Sequence, residues 1–189
     1  MNDAVVQPPH EIPTERLVLR SARAGDGFAL REAIEVSLDD FFPWLSFSAR
    51  LGDLGTMERV SSLAQEKFLA DEFYVWRAWE PSGLLVGSVD LHSFDRSVPS
   101  CEIGYWIRSD RAGQGLAQEC VKAVIEIARK ALGVIRIEAR CDVRNERAWR
   151  LVERLGFTLE GIARHDERDA AGALCSNKVY ALVDNAGET

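Results

Sequence analysis

A strand, a loop with two glycines and an amphipathic helix follow one another without spare residues in the middle of this chain. The strand candidate is CEIGYWI, and the loop RAGQG carries Gly113 and Gly115. From Leu116 to Ala131, apolar residues recur every three or four positions, which places one apolar stripe along a helix. Because such a stripe has to be buried, this unit predicts a sheet with the helix packed against it.

Other strand and helix candidates alternate along the rest of the chain. Strands are predicted at Arg16–Arg20, Phe73–Trp79, Leu84–His92, Cys101–Ile107 and Val134–Cys141, with a hairpin at Phe157–His165 and Leu174–Val183. Helices are predicted from a cap at Asp26 to about Leu38, from a cap at Thr56, over Gly115–Leu132, and from a cap at Asn145 to Gly156. This order predicts a single mixed α/β (α+β) domain over residues 14–183, with residues 1–13 and 184–189 as flexible tails.

The composition is that of one globular domain and argues against several classes of protein. Hydrophobic residues make up 47% of the 189 positions, which is enough apolar material for a core. The net charge of −7 argues against nucleic-acid binding, which normally requires a basic surface. No apolar run reaches the ~20 residues that span a bilayer, and the N-terminus lacks the features of a secretory signal. The sequence therefore predicts a cytoplasmic protein without a membrane partner.

The four cysteines form neither a metal-binding nor a disulfide pattern. They are widely spaced, with no Cys-x-x-Cys and no short pairing with histidine. Cys120 falls in the apolar stripe of a helix and Cys141 on the buried face of a strand, which are positions typical of inert thiols. A covalent cysteine mechanism is therefore not expected.

The loop RAGQG has the properties of an anion-binding turn. The start of a helix leaves about four backbone N–H groups unpaired and carries roughly half a positive charge. Glycines at 113 and 115 remove the side chains that would keep a pyrophosphate away from those amides. The loop matches neither the dinucleotide-binding pattern nor the P-loop pattern, so a purely structural turn is the alternative.

Three segments in this order, EIGYWI, GQGLAQE and RIEARCDVRNERAWRLVERLGFTLEG, resemble the GNAT acyl-CoA N-acetyltransferases. The chain looks most like the RimJ/RimL branch, which acetylates N-terminal amines of ribosomal proteins, and the similarity extends from Thr14 to about Val183. Gly115 and Ala117 fill the last two places of the family's phosphate motif. The resemblance implies a GNAT-like central mixed, mostly antiparallel sheet flanked by helices. Its strands Cys101–Ile107 and Val134–Cys141 would separate to admit pantetheine.

The resemblance also implies acetyl-CoA as the co-substrate, with no metal. The pantetheine arm would pair with backbone groups of Trp106, Ile107 and Arg108. The pyrophosphate would be held by the amides of Gly113, Gln114, Gly115, Leu116 and Ala117. Asn145 matches a position that contacts the cofactor in relatives, and a plain helix cap is an alternative with the same geometry.

The chain departs from the family pattern at three positions. The first place of the phosphate motif, which is Gln or Arg in the family, is Ala112, with Arg111 displaced by one. The tyrosine that protonates the leaving thiolate in many members would fall at Val152, and a serine of some RimL-like relatives at Ala148. No side chain is therefore assigned as general acid, and water is a candidate because a thiol has a pKa near ~8.5.

The candidate general base is Glu102, a lone carboxylate in an apolar strand that the resemblance places beside the acceptor. The alternative is an ion pair with an arginine of a neighbouring strand. His92, at the end of the preceding strand, is the second candidate, or else an exposed histidine without a role. Trp44 corresponds to the loop that covers the acceptor in RimL-like enzymes and is the candidate substrate contact, and the alternative is that it is a core anchor.

The acceptor implied by the resemblance is a protein N-terminal amine. A small amine, such as an amino sugar, a polyamine or an amino acid, is the rival within the enzyme class. Two other classes stay open: a CoA-binding regulator without turnover, and a protein-interaction module on the same fold. A homodimer is also left open.

Overall fold

The computed structural model describes residues 7–41, 44, 53–169 and 171–184. The described strands are β1 (Glu11–Pro13), β2 (Val18–Ser21), β3 (Tyr74–Trp79), β4 (Leu85–Asp95), β5 (Ser100–Ile107), β6 (Arg136–Asp142), β7 (Thr158–Arg168) and β8 (Leu174–Val183). The described helices are α1 (Gly27–Glu35), α2 (Leu38–Phe41), α3 (Leu54–Leu69), α4 (Leu116–Lys130) and α5 (Glu146–Arg154), with a 3₁₀ turn at Ser109–Arg111. None of these helices is both long and apolar enough to cross a membrane.

All described strands belong to one sheet in the order β1-β2-β3-β4-β5-β6-β8-β7. Every neighbouring pair is antiparallel except β5 and β6, which are parallel. This parallel pairing is short, because its register ends at Glu102 and Glu138, and the strands separate beyond those residues. The mixed, mostly antiparallel sheet and the separation of its central strands are both confirmed.

Helices cover the two faces of the central sheet. The apolar stripe of α4 is buried at Leu116, Cys120, Val121, Val124, Ile125 and Ala128, and it belongs to the same core as Ile103 of β5. On the opposite face, α1 and α3 bury Leu30, Ala33, Ile34 and Met57 in a cluster with Leu85 and Trp106. Successive strand residues point to opposite faces, so β5 contributes to both clusters and is held from both sides.

The prediction of a flexible tail over residues 1–13 is wrong for its last three residues. Residues 11–13 form β1, which pairs with β2 and buries Ile12 opposite Leu19. Pro13 lies at the end of this edge strand, where a missing N–H is tolerated. Residues 1–6 and 185–189 lie outside the described part of the chain, and the N–H of Asp184 donates to the carbonyl of Ile135 at 2.8 Å.

Two predicted helix caps differ in detail from those observed. Helix α3 begins one turn earlier than predicted, because the Asp53 carboxylate accepts the N–H of Thr56 at 2.8 Å and is the true cap. Asp26 occupies the N-cap position of α1 but makes no capping hydrogen bond with its side chain. Its carboxylate instead contacts the guanidinium groups of Arg20 at 2.7 Å and Arg77 at 3.5 Å, which ties α1 to the sheet.

Candidate active site

A cleft of about 170 Å³ opens where β5 and β6 separate. Its walls are residues 103–105 of β5, residues 139–142 of β6, Asn145 and Ala148 at the start of α5, residues 167–169, 175 and 177 of the β7–β8 hairpin, and Trp44. The gap exists because β5 and β6 leave each other after Glu102, while β6 stays paired with β8 as far as Asp142. The predicted entry for a pantetheine arm is therefore an open space in the sheet.

The hydroxyl of Tyr105 crosses this cleft from β5 to α5. It donates to the carbonyl oxygen of Ala148 at 2.8 Å, and burial is the main cause that raises the pKa of the phenol. A phenol that is already engaged and hard to ionise is a poor proton donor to a leaving thiolate. Ala148 and the buried Val152 carry no ionisable group, so neither of the two positions at which the family places an acid supplies one here.

The loop before α4 has the conformation of an open cradle. Gly113 and Gly115 have φ values of +77° and +79°, and Gly115 is the N-cap of α4. The backbone N–H groups of residues 113–115 donate to no acceptor within the described residues. Within the described part of the chain, a Cβ added to Gly113 would meet nothing within 4 Å, so there is open space beside this glycine. This geometry matches the predicted pyrophosphate site, although occupation of the site stays a prediction.

The side chains of Trp106 and Arg108 pack inside the protein and do not face the cleft between β5 and β6. Trp106 packs edge-on against Phe41 with ring centroids 5.4 Å apart, and the guanidinium of Arg108 is buried against Glu32 and Asp110. The N–H of Arg108 donates to β4 at 2.9 Å. Because backbone groups alternate in direction along a strand, those of Ile107 face the side that β6 leaves open. A pantetheine contact there is therefore proposed for Ile107, with Tyr105 as its equivalent two residues earlier.

The two predicted base candidates lie next to each other. His92 is opposite Glu102 in the β4–β5 register, and its Nε2 atom is 3.7 Å from a carboxylate oxygen of Glu102. The basic partner of Glu102 in the described structure is thus His92 rather than an arginine. Neither residue belongs to the wall of the cleft.

The carboxylate of Asp90 lies between His92 and Gly104, which is a residue of the cleft wall. Its Oδ1 atom is 2.8 Å from Nδ1 of His92, and this hydrogen bond is the main cause that raises the pKa of His92. The same carboxylate lies over Gly104, where an added Cβ would be 2.8 Å from Oδ2. A side chain at 104 would therefore force the carboxylate of Asp90 to move.

Trp44 lies at the cleft, where the sequence predicts a substrate contact. The guanidinium of Arg144 is 5.6 Å from the centroid of its ring. Arg144 also contacts the carboxylates of Asp142 at 2.6 Å and Asp169 at 3.2 Å, so this rim is a connected charged surface. Residues 45–52 of the predicted acceptor loop lie outside the described part of the chain. Binding of an acceptor by Trp44 stays a prediction.

Asn145 occupies the predicted cap and also reaches the cleft. Its side-chain oxygen accepts the N–H of Ala148 at 3.2 Å, which confirms the cap of α5. The same residue belongs to the cleft wall. The two proposed roles are therefore compatible in one conformation.

The carboxylates of the cleft wall, which are Asp142, Glu167 and Asp169, are not predicted by the sequence. Glu167 belongs to the wall, and the buried amide of Asn177 donates to its Oε2 atom at 3.1 Å. The run DERD was expected to be the turn of the hairpin, but β7 continues to Arg168 and carries Glu167 into the site. The long alternating segment before DERD was the available signal for a longer strand.

The thiol of Cys141 lies in the cleft wall but is not a nucleophile. Burial is the main cause that raises its pKa to about 12, and the same holds for Cys101 and Cys120. A thiol that stays protonated near neutral pH reacts slowly. The expectation against a covalent cysteine mechanism agrees with this environment.

Several proteins of similar sequence are named as N-acetyltransferases. The chain is 34% identical over 151 residues to the probable N-acetyltransferase YjcK of Bacillus subtilis, covering 77% of this chain and 82% of the relative. It is 25% identical over 160 residues to the [ribosomal protein uS5]-alanine N-acetyltransferase of Escherichia coli, covering 83% and 82% of the two chains.

A solved structure has the same fold. It is RimL, a ribosomal L7/L12 alpha-N-protein acetyltransferase in complex with coenzyme A, with a TM-score of 0.87 and 19% identity over 93% of this chain and 99% of that one. Residues 16–158 match the acetyltransferase (GNAT) domain family. The chain therefore belongs to the GNAT family of acetyltransferases and is an acetyl-CoA-dependent N-acetyltransferase.

Proposed function

We propose that the protein transfers the acetyl group of acetyl-CoA to the N-terminal amine of a protein, of the kind found on ribosomal proteins. The cleft between β5 and β6 carries this proposal, because Trp44 and the carboxylate of Glu167 both lie in its wall. The carboxylate of Glu167 can pair with a cationic amine, while Asp142 and Asp169 in the same wall already pair with Arg144. The relative in Escherichia coli that acetylates an alanine of protein uS5 supports the same acceptor class. A ribosomal acceptor would place the enzyme in the cytoplasm.

The reaction requires a neutral amine and a leaving thiolate. An ammonium cannot attack a thioester, so a base has to remove a proton. An N-terminal amine has a pKa of about 7.7–8.0, compared with about 10.4 for lysine, so a sizeable fraction is already neutral near physiological pH. The thiolate of CoA can take its proton from water, because a thiol has a pKa of about 8.5. Among amine acceptors, an N-terminal amine therefore needs the least help from a side-chain base. This suits a site in which the family's two acid positions hold Ala148 and Val152.

Two carboxylates are candidates for the base. Glu102, proposed from the sequence, lies beside His92 and outside the cleft wall, so it would act through a water or through the Asp90–His92 pair. Glu167 lies in the wall and can face the amine directly. Because Glu167 lies in the cleft wall, it is favoured for direct proton abstraction. Glu102 could remove the proton only through a bridging water or the Asp90–His92 pair.

The acceptor is tested with acetyl-CoA and a matched panel. The panel contains peptides with a free alanine or serine N-terminus, the same peptides with a blocked N-terminus and an internal lysine, and small amines such as spermidine and glucosamine. Release of CoA and the mass of the product are measured. Turnover restricted to free N-termini supports the proposal. Turnover of small amines alone contradicts it, and tight CoA binding with no release above hydrolysis assigns the protein as a regulator.

The base is tested with Glu102→Gln and Glu167→Gln, which are nearly isosteric. Glu126→Gln on the exposed side of α4 is the matched control, since its carboxylate pairs with Lys130 away from the cleft. Loss of the base should lower kcat by about 10²–10⁴-fold with acetyl-CoA affinity retained. If Glu102→Gln and Glu167→Gln both keep full turnover, neither carboxylate is the base, and His92→Gln is the next variant to measure.

A further inference from the structure

The glycine loop lacks the side chain that the family places at its first motif position, and nearby arginines of the same segment do not replace it. Arg111 turns to Glu80, with Nε 2.9 Å from its carboxylate, and also contacts Asp110. Arg108 is buried, with its guanidinium engaged by Glu32 and Asp110. Among the described residues, neither guanidinium contacts residues 113–115 of the loop.

A guanidinium from a distant part of the chain lies against the loop instead. Arg16, in the segment between β1 and β2, donates from Nη1 to the carbonyl oxygen of Gln114 at 2.8 Å. Its Nη2 atom is 3.6 Å from the position of a Cβ on Gly115, and no other described residue beyond the two chain neighbours comes within 4 Å of that position. Arg16 therefore borders the open side of the cradle between its two glycines.

Glu119, in the first turn of α4, holds Arg16 in this place. Nε of Arg16 donates to Oε2 of Glu119 at 2.7 Å, and the backbone N–H of Arg16 donates to Oε1 at 2.8 Å. Thr14 adds a hydrogen bond to Oε1 at 2.6 Å. The Glu119 side chain is 13% exposed, whereas that of Arg16 is 45% exposed. The carboxylate is thus the buried anchor, and the guanidinium is the accessible group.

The guanidinium of Arg16 still has N–H groups that can donate to a ligand. A guanidinium carries five N–H groups. Bonds to Glu119 and Gln114 use one N–H on each nitrogen, which leaves two N–H groups without an acceptor among the described residues. Arginine presents such donors in a planar fork that fits phosphate oxygens. A fixed, half-exposed fork beside a row of free amides is suited to a diphosphate.

We propose that Arg16 is a cofactor-binding residue that donates directly to the pyrophosphate of acetyl-CoA, in place of the side chain missing at Ala112. This rests on the proposed function, because it assumes that CoA occupies the cradle. Arg16 also neutralises Glu119, whose negative charge would otherwise repel a diphosphate one helical turn from the cradle. The two contributions, direct contact and neutralisation, predict different results.

The test measures CoA binding by calorimetry in Arg16→Gln, Arg16→Lys, Glu119→Gln and the Arg16→Gln/Glu119→Gln double variant. The control is Lys130→Gln, which removes one positive charge from the far end of the same helix, where the charge pairs with Glu126. Its distance from residue 119 is roughly 16 Å along the helix axis, which exceeds the Debye length of about 8 Å at physiological salt. Transfer from acetyl-pantetheine, which lacks the phosphates, is measured in parallel.

Direct contact predicts that Arg16→Gln weakens CoA binding by about 10- to 100-fold, the usual worth of a charge-assisted hydrogen bond. The loss should persist in the Glu119→Gln background, and the dependence of the CoA dissociation constant on salt should become weaker, which a purely structural role would not cause. Arg16→Lys should retain part of the affinity, and Lys130→Gln and transfer from acetyl-pantetheine should not change.

Two results would overturn the assignment. If Arg16→Gln binds CoA as tightly as the parent, Arg16 makes no contact with the pyrophosphate. A loss that disappears in the Glu119→Gln background assigns Arg16 as a neutraliser of Glu119 only. Failure of the proposed function looks different, because the acceptor panel would then show turnover of small amines alone or no release of CoA, whereas the CoA affinities of the Arg16 variants are measured without any acceptor.

Discussion

The sharpest test of the cradle compares two glycines at opposite ends of α4. Gly115 precedes the helix with φ of +79°, and Gly133 follows it with φ of +65°. Counting the residues that the structure describes, an added Cβ would meet nothing within 4 Å at Gly133, and at Gly115 it would meet only Arg16 at 3.6 Å. Gly115→Val and Gly133→Val therefore introduce similar backbone strain without a steric clash, and only the first lies where the pyrophosphate is expected.

Both variants should lose stability to a similar extent. A left-handed conformation costs an L-residue about 1–2 kcal/mol, and somewhat more when the side chain is β-branched. For a domain of this size, 1 kcal/mol corresponds to about 2–4 °C in Tm, so each variant should melt roughly 2–8 °C below the parent. A larger fall in one variant alone would show that its loop has reorganised.

Only Gly115→Val should lose CoA. Two backbone hydrogen bonds to a charged phosphate are worth about 3–6 kcal/mol together, so their loss weakens binding by at least about 100-fold. At CoA equal to 100 times the parent's Kd, the ligand adds about 2.7 kcal/mol to the parent and to Gly133→Val. It should add less than about 0.5 kcal/mol to Gly115→Val at the same concentration.

Differential scanning calorimetry with and without CoA gives the two stabilities, and isothermal titration calorimetry gives the affinity. Comparing the two glycine variants distinguishes loss of the CoA site from loss of the folded structure. If folded Gly115→Val binds CoA as tightly as Gly133→Val, the loop is a structural turn and the cradle interpretation fails.

Two other residues give predictions of a different kind. Asn145→Ala should lose ~1 kcal/mol of stability as the cap of α5 is removed and should also bind CoA more weakly in calorimetry; a loss of stability alone would limit Asn145 to the cap. Asp90→Asn should lower the pKa of His92 toward its ordinary value, because the carboxylate is the main cause that raises it, and NMR titration of the imidazole measures the shift. A raised folded pKa stabilises the protein fully below the unfolded pKa of about 6.5 and loses that effect as pH rises through the folded pKa. Asp90→Asn should therefore destabilise the protein more at pH 5.5 than at pH 8.5, and an equal effect at both values would contradict the pairing.

Local sequence patterns were sufficient for the elements that build the cofactor side of the site. The unit around Gly113 and Gly115 is encoded by residues that are neighbours in sequence, so its strand, loop and helix follow from periodicity and from the conformational freedom of glycine. The cap at Asn145 is local in the same way. The departure at Ala112 was also visible in the sequence, although its consequence for nearby arginines was not.

The residues that complete the site come from distant parts of the chain, and the sequence alone did not bring them together. Arg16 meets Gln114 across 98 positions, and Glu167 meets Asn177 only because β7 runs past the predicted turn. Such contacts depend on strand order and register, which are set by the packing of the whole sheet rather than by any local pattern. The sequence by itself determined the fold class, the glycine loop and the separated strands. The tertiary structure decided which side chains face the cleft, because a side chain's direction along a strand reverses with each shift of one residue in register.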